Sequence, residues 1–180
     1  DEKTRLKVEN IQISCKRLNS LVDDLSDFSD LRTGKYEINV SKYSVDSLIN
    51  DIVEFAYVLR KNKDIEIIAD CDSTIPCELF GDEAKIKRVV YNIIGNAAKF
   101  TSIGCIAIKI GYRREFYGIN LVITVKDTGI GMDKHNIEKI FSSFNQADTK
   151  RNRQESGVGL GLPIARAIIE QMNGTITVSS

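Results

Sequence analysis

A chain of 180 residues with 25 basic and 25 acidic side chains carries no net charge, which gives no support for nucleic acid or an anionic membrane as partner. Hydrophobic residues make up 42% and charged residues 28%, the balance of a soluble globular protein with one core of ordinary size and an appendage. No apolar run approaches a membrane span, and no signal-peptide pattern is present.

Residues 1 to about 33 read as one helix, since Ile11, Cys15, Leu18, Val22 and Leu25 recur at spacings of three and four, widened by Leu21, Phe28 and Leu31. Gly34 is placed to cap its end. Such a stripe cannot be buried by one helix alone and calls for a partner helix that is not in this chain. Because the first residue already lies inside the helical pattern, the chain is expected to be a segment of a longer protein.

Lys35 to about Val45 reads as extended, with Tyr36, Ile38 and Val40 alternating with polar residues. Asp46 or Ser47 could cap the next helix, whose apolar face is Leu48, Ile49, Ile52, Val53, Ala56 and Leu59. Glu66–Cys71 is a short strand, followed by a loop around Pro76. Gly81-Asp82 opens a helix whose apolar face is Ile86, Val89, Val90, Ile93, Ile94, Ala97 and Phe100. Ile106, Ile108 and Ile110 alternate along a strand that turns near Tyr117-Gly118 into Leu121–Asp127, giving a hairpin. Asp133 to Phe141 is a short helix, and residues 142 to 156 form a polar loop without periodicity. A last helix runs through Met172, with Pro163 in its first turn and Gly174 past its end, and Thr175–Ser180 reads as a strand cut short. The fold class expected is α/β: a two-layer sandwich of a mixed sheet with helices on one face, preceded by one long helix.

The four cysteines, Cys15, Cys71, Cys77 and Cys105, are scattered, with no second histidine to complete a metal site. Reduced, mostly structural thiols in a cytoplasmic setting are expected.

Three stretches carry chemistry. In Asp127-Thr128-Gly129-Ile130-Gly131-Met132, period two places Asp127 with Leu121, Ile123 and Val125, on the face expected to look into the core. A carboxylate there needs hydrogen-bond donors, and two glycines beside it allow a close approach, which suits a ligand with an exocyclic amine such as adenine. Taken alone, a strand ending in an Asp-Thr-Gly turn is the plainer reading. Asn92, Asn96 and Lys99, at spacings of four and three, share one helix face roughly 120° from the apolar stripe. Two amides and an ammonium could serve Mg²⁺ and phosphate oxygens, and a solvated helix side accounts for the same trio taken alone. Gly157-Val158-Gly159-Leu160-Gly161 sets glycines before a helix N-terminus, whose free N–H groups and dipole favour an anion. No βαβ unit precedes it, so it is not a dinucleotide fold.

Together these stretches resemble the boxes of sensor histidine kinases. Asn92–Thr101 is similar to the N box, Asp127–Met132 to the G1 box, Ile140–Asp148 to the F box and Gly157–Leu162 to the G2 box, in the right order and spacing. The Gln-Ala-Asp of the F box resembles that of hybrid kinases. Leu21–Leu31 resembles the second helix of the family's dimerisation and phosphotransfer domain. The resemblance implies residues 1–34 as that helix, incomplete as a domain, and 35–180 as the ATP-binding catalytic domain without its last strand.

What the resemblance implies for single residues is as follows. Asp127 accepts the adenine amino group, with Gly129 and Gly131 admitting the ring. Asn96 ligates Mg²⁺, while Asn92 and Lys99 contact the phosphates and carry catalysis. Phe141, Phe144 and the segment to Gly161 form the ATP lid, with Arg153 where the family often carries a phosphate-contacting arginine. Gly157, Gly159 and Gly161 supply its hinge and backbone donors, and Leu160 counts among the nucleotide-binding residues. Implied partners are ATP, a phospho-acceptor histidine helix of the same native protein, a response-regulator receiver domain, and a second copy in a full-length homodimer. The catalytic portion is expected in the cytoplasm, with membrane anchoring of the full-length protein left open.

The chain also departs from the pattern. Its one histidine, His135, is followed by Asn136 rather than an acid, and reads as a surface residue, so the acceptor histidine is expected outside this chain. Ser156 stands where the hybrid pattern often has glycine. The gyrase, heat-shock chaperone and mismatch-repair ATPases place a water-activating glutamate where this chain has Asn92, which weighs against hydrolysis as the designed activity. A module that senses nucleotide without transferring phosphate is the third alternative.

Overall fold

The computed structural model describes residues 2–60, 63–141 and 159–180. The expected lid residues Phe144 and Arg153, together with Ser156 and Gly157, lie outside them. Helix α1 (Glu2–Thr33) leads into a two-stranded ribbon, β1 (Ser41–Ser44) and β3 (Glu78–Gly81), and a three-stranded sheet, β2 (Asp64–Cys71), β4 (Ile103–Glu115) and β5 (Gly118–Asp127). The remaining helices are α2 (Val45–Leu59), α3 (Glu83–Phe100), α4 (Lys134–Lys139) and α5 (Gly161–Gln171). In the larger sheet β2 runs parallel to β4, and β4 antiparallel to β5, so the sheet is mixed as expected.

Alternation along β4 sends Ile106, Ile108 and Ile110 to one face, where they meet Leu48, Ile52 and Ala56 of α2 and Val90, Ile94 and Ala97 of α3. Each large side chain so buried contributes about 1.5–3 kcal/mol. The other side of α3 faces α5 and α1 through Val89, Leu160, Ile164, Ala165 and Ile168, with Tyr36, Phe28 and Leu31 packed on them. Thus α3 is gripped on two sides, leaving little freedom for the residues it displays.

Caps place the helix ends. Asp82, buried, accepts hydrogen bonds from the Lys85 N–H at 3.0 Å and the Asn39 N–H at 2.8 Å, starting α3 and tying down the preceding chain. The Lys63 ammonium donates to the Ala98 and Thr101 carbonyls at 2.5 and 3.4 Å, at the negative end of α3. Gly34, at φ 69°, turns the chain out of α1, and the Lys35 N–H reaches back to the Asp30 carbonyl at 2.9 Å.

Several boundaries depart from the sequence reading. The cap of α2 is Ser44, which accepts from the Ser47 N–H, rather than Asp46 or Ser47. Within the extended segment 35–45 only Ser41–Ser44 pairs as a strand, because its partner is Glu78–Gly81, a stretch after Pro76 where no strand is expected from the sequence. Thr175–Ser180 forms no strand; Ser180 Oγ instead accepts from the Met132 N–H at 2.7 Å. Helix α5 runs to Gln171 with Met172 as its cap, so Gly174 lies past its end as expected, and the left-handed residue there is Asn173. All four cysteines are free thiols, as expected; Cys15, Cys71 and Cys77 are exposed and Cys105 is half-buried.

Candidate nucleotide site

Register sets the first group. Asp127 ends β5 opposite Ile106, and its side of the strand is that of Leu121, Ile123 and Val125. The expectation of burial is corrected: Asp127 is exposed, as the last residue of β5, where the strand gives way to the glycine turn. Its donor is local. Asp127 Oδ1 accepts from the Gly129 N–H at 2.9 Å, which orients the carboxylate while leaving it open to a ligand.

Gly129 is set by crowding. A Cβ there would lie 2.6 Å from the Phe100 carbonyl oxygen and 2.8 Å from Asp127 Oδ1. The backbone runs this close because the Ile130 N–H donates to the same Phe100 carbonyl at 3.3 Å, joining the G1 turn to the end of α3. Gly131, at φ 66°, adopts a conformation costly for other residues.

Thr128, which the sequence reading passed over, anchors the turn from the other side. Its Oγ1 accepts from the Cys105 N–H at 2.9 Å, and its own N–H donates to the Cys105 carbonyl at 3.1 Å. The hydroxyl occupies the space a side chain at Gly104 would need. Nothing local in the sequence marks this partnership, which spans 23 residues.

Along α3, Asn92, Asn96 and Lys99 do share a face, and all three are half-buried. Asn92 Nδ2 donates to the Gly161 carbonyl at 3.2 Å. That single bond brings the asparagine row to the first residue of α5, whose opening N–H groups have no side-chain cap. A Cβ at Gly161 would meet Asn92 Oδ1, the end of a flexible side chain that would then have to move. Leu160 is buried beneath the turn, and Gly159, at φ 77°, delivers the chain to it. The Lys99 ammonium rests 5.0 Å from the centre of the Phe100 ring, at the end of the row nearest the G1 turn.

His135 is exposed on α4, and its Nε2 lies 2.9 Å from the Lys139 ammonium one turn on, as expected of a surface residue. Among the described residues no group of three or more acidic, cysteine or histidine side chains could hold a metal by itself. Amide oxygens of the row fit a hard cation that takes part of its shell from phosphate and water.

The site therefore joins an oriented carboxylate, a backbone kept bare by crowding, a row of amides and an ammonium, and an uncapped helix N-terminus. The family model of histidine kinase-, DNA gyrase B-, and HSP90-like ATPases matches residues 81–180. The chain belongs to that family. Within it, this is an ATPase domain of the sensor and hybrid histidine-kinase type. It is 35% identical over 179 residues to the peroxide stress-activated histidine kinase mak2 of Schizosaccharomyces pombe, covering 96% of this chain and 8% of mak2. To the sensor histidine kinase GacS of Pseudomonas protegens it is 32% identical over 171 residues, covering 94% of this chain and 19% of GacS. The structure of full-length ShkA in complex with AMPPNP matches with a TM-score of 0.77 at 27% identity, over 95% of this chain and 34% of ShkA. The chain thus spans less than a fifth of each of these two curated relatives.

Proposed function

We propose that residues 35–180 are the catalytic domain of a hybrid sensor protein-histidine kinase, and that 1–34 is the second helix of its dimerisation and phosphotransfer domain. The reaction is transfer of the γ-phosphoryl group of Mg·ATP to a histidine on a helix outside this chain, for onward relay to a receiver aspartate. The observation that carries this reading is the Asn92–Gly161 bond, which draws the amide row and an uncapped helix N-terminus together. Val8, Ile11, Leu18, Val22 and Leu25 on α1 are all exposed, as a helix awaiting bundle partners would leave them. No described helix is long and apolar enough to cross a membrane.

In this reading Asp127 accepts the adenine amino group, and Gly129 and Gly131 keep the floor of that pocket free of side chains. Asn96 would ligate Mg²⁺, with Asn92 and Lys99 beside the phosphates and the N–H groups from Gly161 onward as further donors. The metal would supply charge neutralisation at the phosphates. Transfer breaks the bond from γ-phosphorus to the bridging oxygen of ADP and forms one to an imidazole nitrogen, which attacks through its neutral lone pair. Asn92 stands at the position where the hydrolysing relatives carry their water-activating glutamate, and an amide cannot take the proton of an attacking water.

The test is to incubate this chain with γ-labelled ATP and the helical segment that precedes it in the native protein, made separately. Acid-labile label on that segment supports the reading. Release of inorganic phosphate alone would favour an ATPase, and binding without either outcome a sensing module.

A further inference from the structure

Arg88 stands one helical turn before Asn92, so Arg88, Asn92 and Asn96 follow at steps of four on one face of α3, with Lys99 beyond. The guanidinium is held elsewhere. Its Nη2 lies 3.2 Å from Asp24 Oδ1, and its Nη1 is paired with Asp27 Oδ2. Both carboxylates belong to α1. The three side chains are between 15% and 27% exposed, so the cluster is shielded from water and salt more than a surface pair would be.

A second contact binds the same stretch of α1 to the site. Phe28 and Leu31 pack on the cluster that holds Leu160 and Ile164, the residues at the start of α5. The last turns of α1 therefore touch the helix that carries the amide row, through Arg88, and the start of α5, by apolar packing.

We propose that the nucleotide phosphates and α1 compete for Arg88, so that Mg·ATP loosens α1 from the catalytic layer and the acids of α1 weaken Mg·ATP in return. The inference rests on the reading of this row as a phosphate site. A guanidinium suits either partner, because carboxylate and phosphate both offer paired oxygens. A polyphosphate beside Asn92 also brings negative charge within about one turn of Arg88, the cation that compensates Asp24 and Asp27. The coupling must act equally in both directions. Arg88 is thus a positioning residue that sets where α1 sits according to what the site holds.

Two measurements test it. Isothermal titration with Mg·ATP and Mg·ADP compares the chain with an Asp24→Asn, Asp27→Asn double variant whose fold is checked by circular dichroism. Hydrogen exchange over residues 24–33 is followed with and without Mg·ATP, in the unaltered chain and in Arg88→Gln. We expect the double variant to bind Mg·ATP about fivefold more tightly, the low end of such couplings, with a smaller gain for Mg·ADP. In the unaltered chain Mg·ATP should speed exchange over residues 24–33, while Arg88→Gln should exchange fast there with or without nucleotide. Unchanged Mg·ATP affinity in the folded double variant, or exchange indifferent to Mg·ATP in the unaltered chain, overturns the competition. If the unaltered chain binds no Mg·ATP, the phosphate-site reading itself fails and takes the inference with it.

Discussion

The side-chain amide of Asn92 donates to the backbone carbonyl of Gly161 across 3.2 Å, joining two motifs 69 residues apart. A methyl group at Gly161 would meet Asn92 Oδ1, and the flexible amide can swing away only by giving up that bond. Gly161→Ala should therefore separate stability from binding. Alanine favours the helix, so the melting transition should change by no more than about 1 kcal/mol. Mg·ATP affinity should fall by about 1–3 kcal/mol, as donors at the helix start and the amide row lose register. Thermal melts alongside titration calorimetry check both halves.

Asp127→Ala removes the acceptor proposed for the adenine amino group. The expected loss is about 1–3 kcal/mol of ATP affinity, with little change in stability because the residue is exposed. GTP offers a carbonyl where ATP offers the amine, so its weaker binding should change less. Equal losses for both nucleotides would contradict the adenine contact.

Asn96→Ala should act through the metal. Mg·ATP binding should weaken markedly, while ADP measured with the metal chelated should bind nearly as before. Equal losses in the two conditions would make the residue structural.

His135 should not be phosphorylated. It lies on α4, exposed and paired with Lys139, on the same domain as the nucleotide site, whereas transfer needs the nucleophile within about 3–3.5 Å of phosphorus and in line. The chain incubated alone with γ-labelled ATP should remain unlabelled. Acid-labile label that vanishes in His135→Ala would make it an acceptor.

Asp24 links pH to the α1 contact. Burial raises its carboxyl above the ordinary value of 3.8, and the pull of Arg88 opposes this without cancelling it. The folded chain then holds that proton more tightly than the unfolded chain. Its stabilising effect is complete below pH 3.8 and is lost as pH rises through the higher folded value. Compared with Asp24→Asn, the unaltered chain should thus be relatively weaker at neutral pH than at pH 3.8 and below. Urea midpoints for the two proteins across that interval check the sign.

Periodicity made α1, the buried faces of α2 and α3, and the β4–β5 hairpin legible in the sequence, because a residue's neighbours at steps of two, three or four decide which way it faces. The same arithmetic set Asn92, Asn96 and Lys99 on one face, and a step of four backwards would have added Arg88. The four boxes gave the family. What the sequence did not carry was contact between elements. Strand β3 exists because Glu78–Gly81 pairs with Ser41–Ser44, four residues that alone have no preference strong enough to announce a ribbon. Asp127 lies on the expected side of β5 but at its last residue and exposed, so alternation predicted its direction and could not predict its exposure. Thr128 at Gly104 and Asp24 and Asp27 at Arg88 are decided by where the tertiary structure lays one element against another, since hydrogen bonds and ion pairs depend on distances in space.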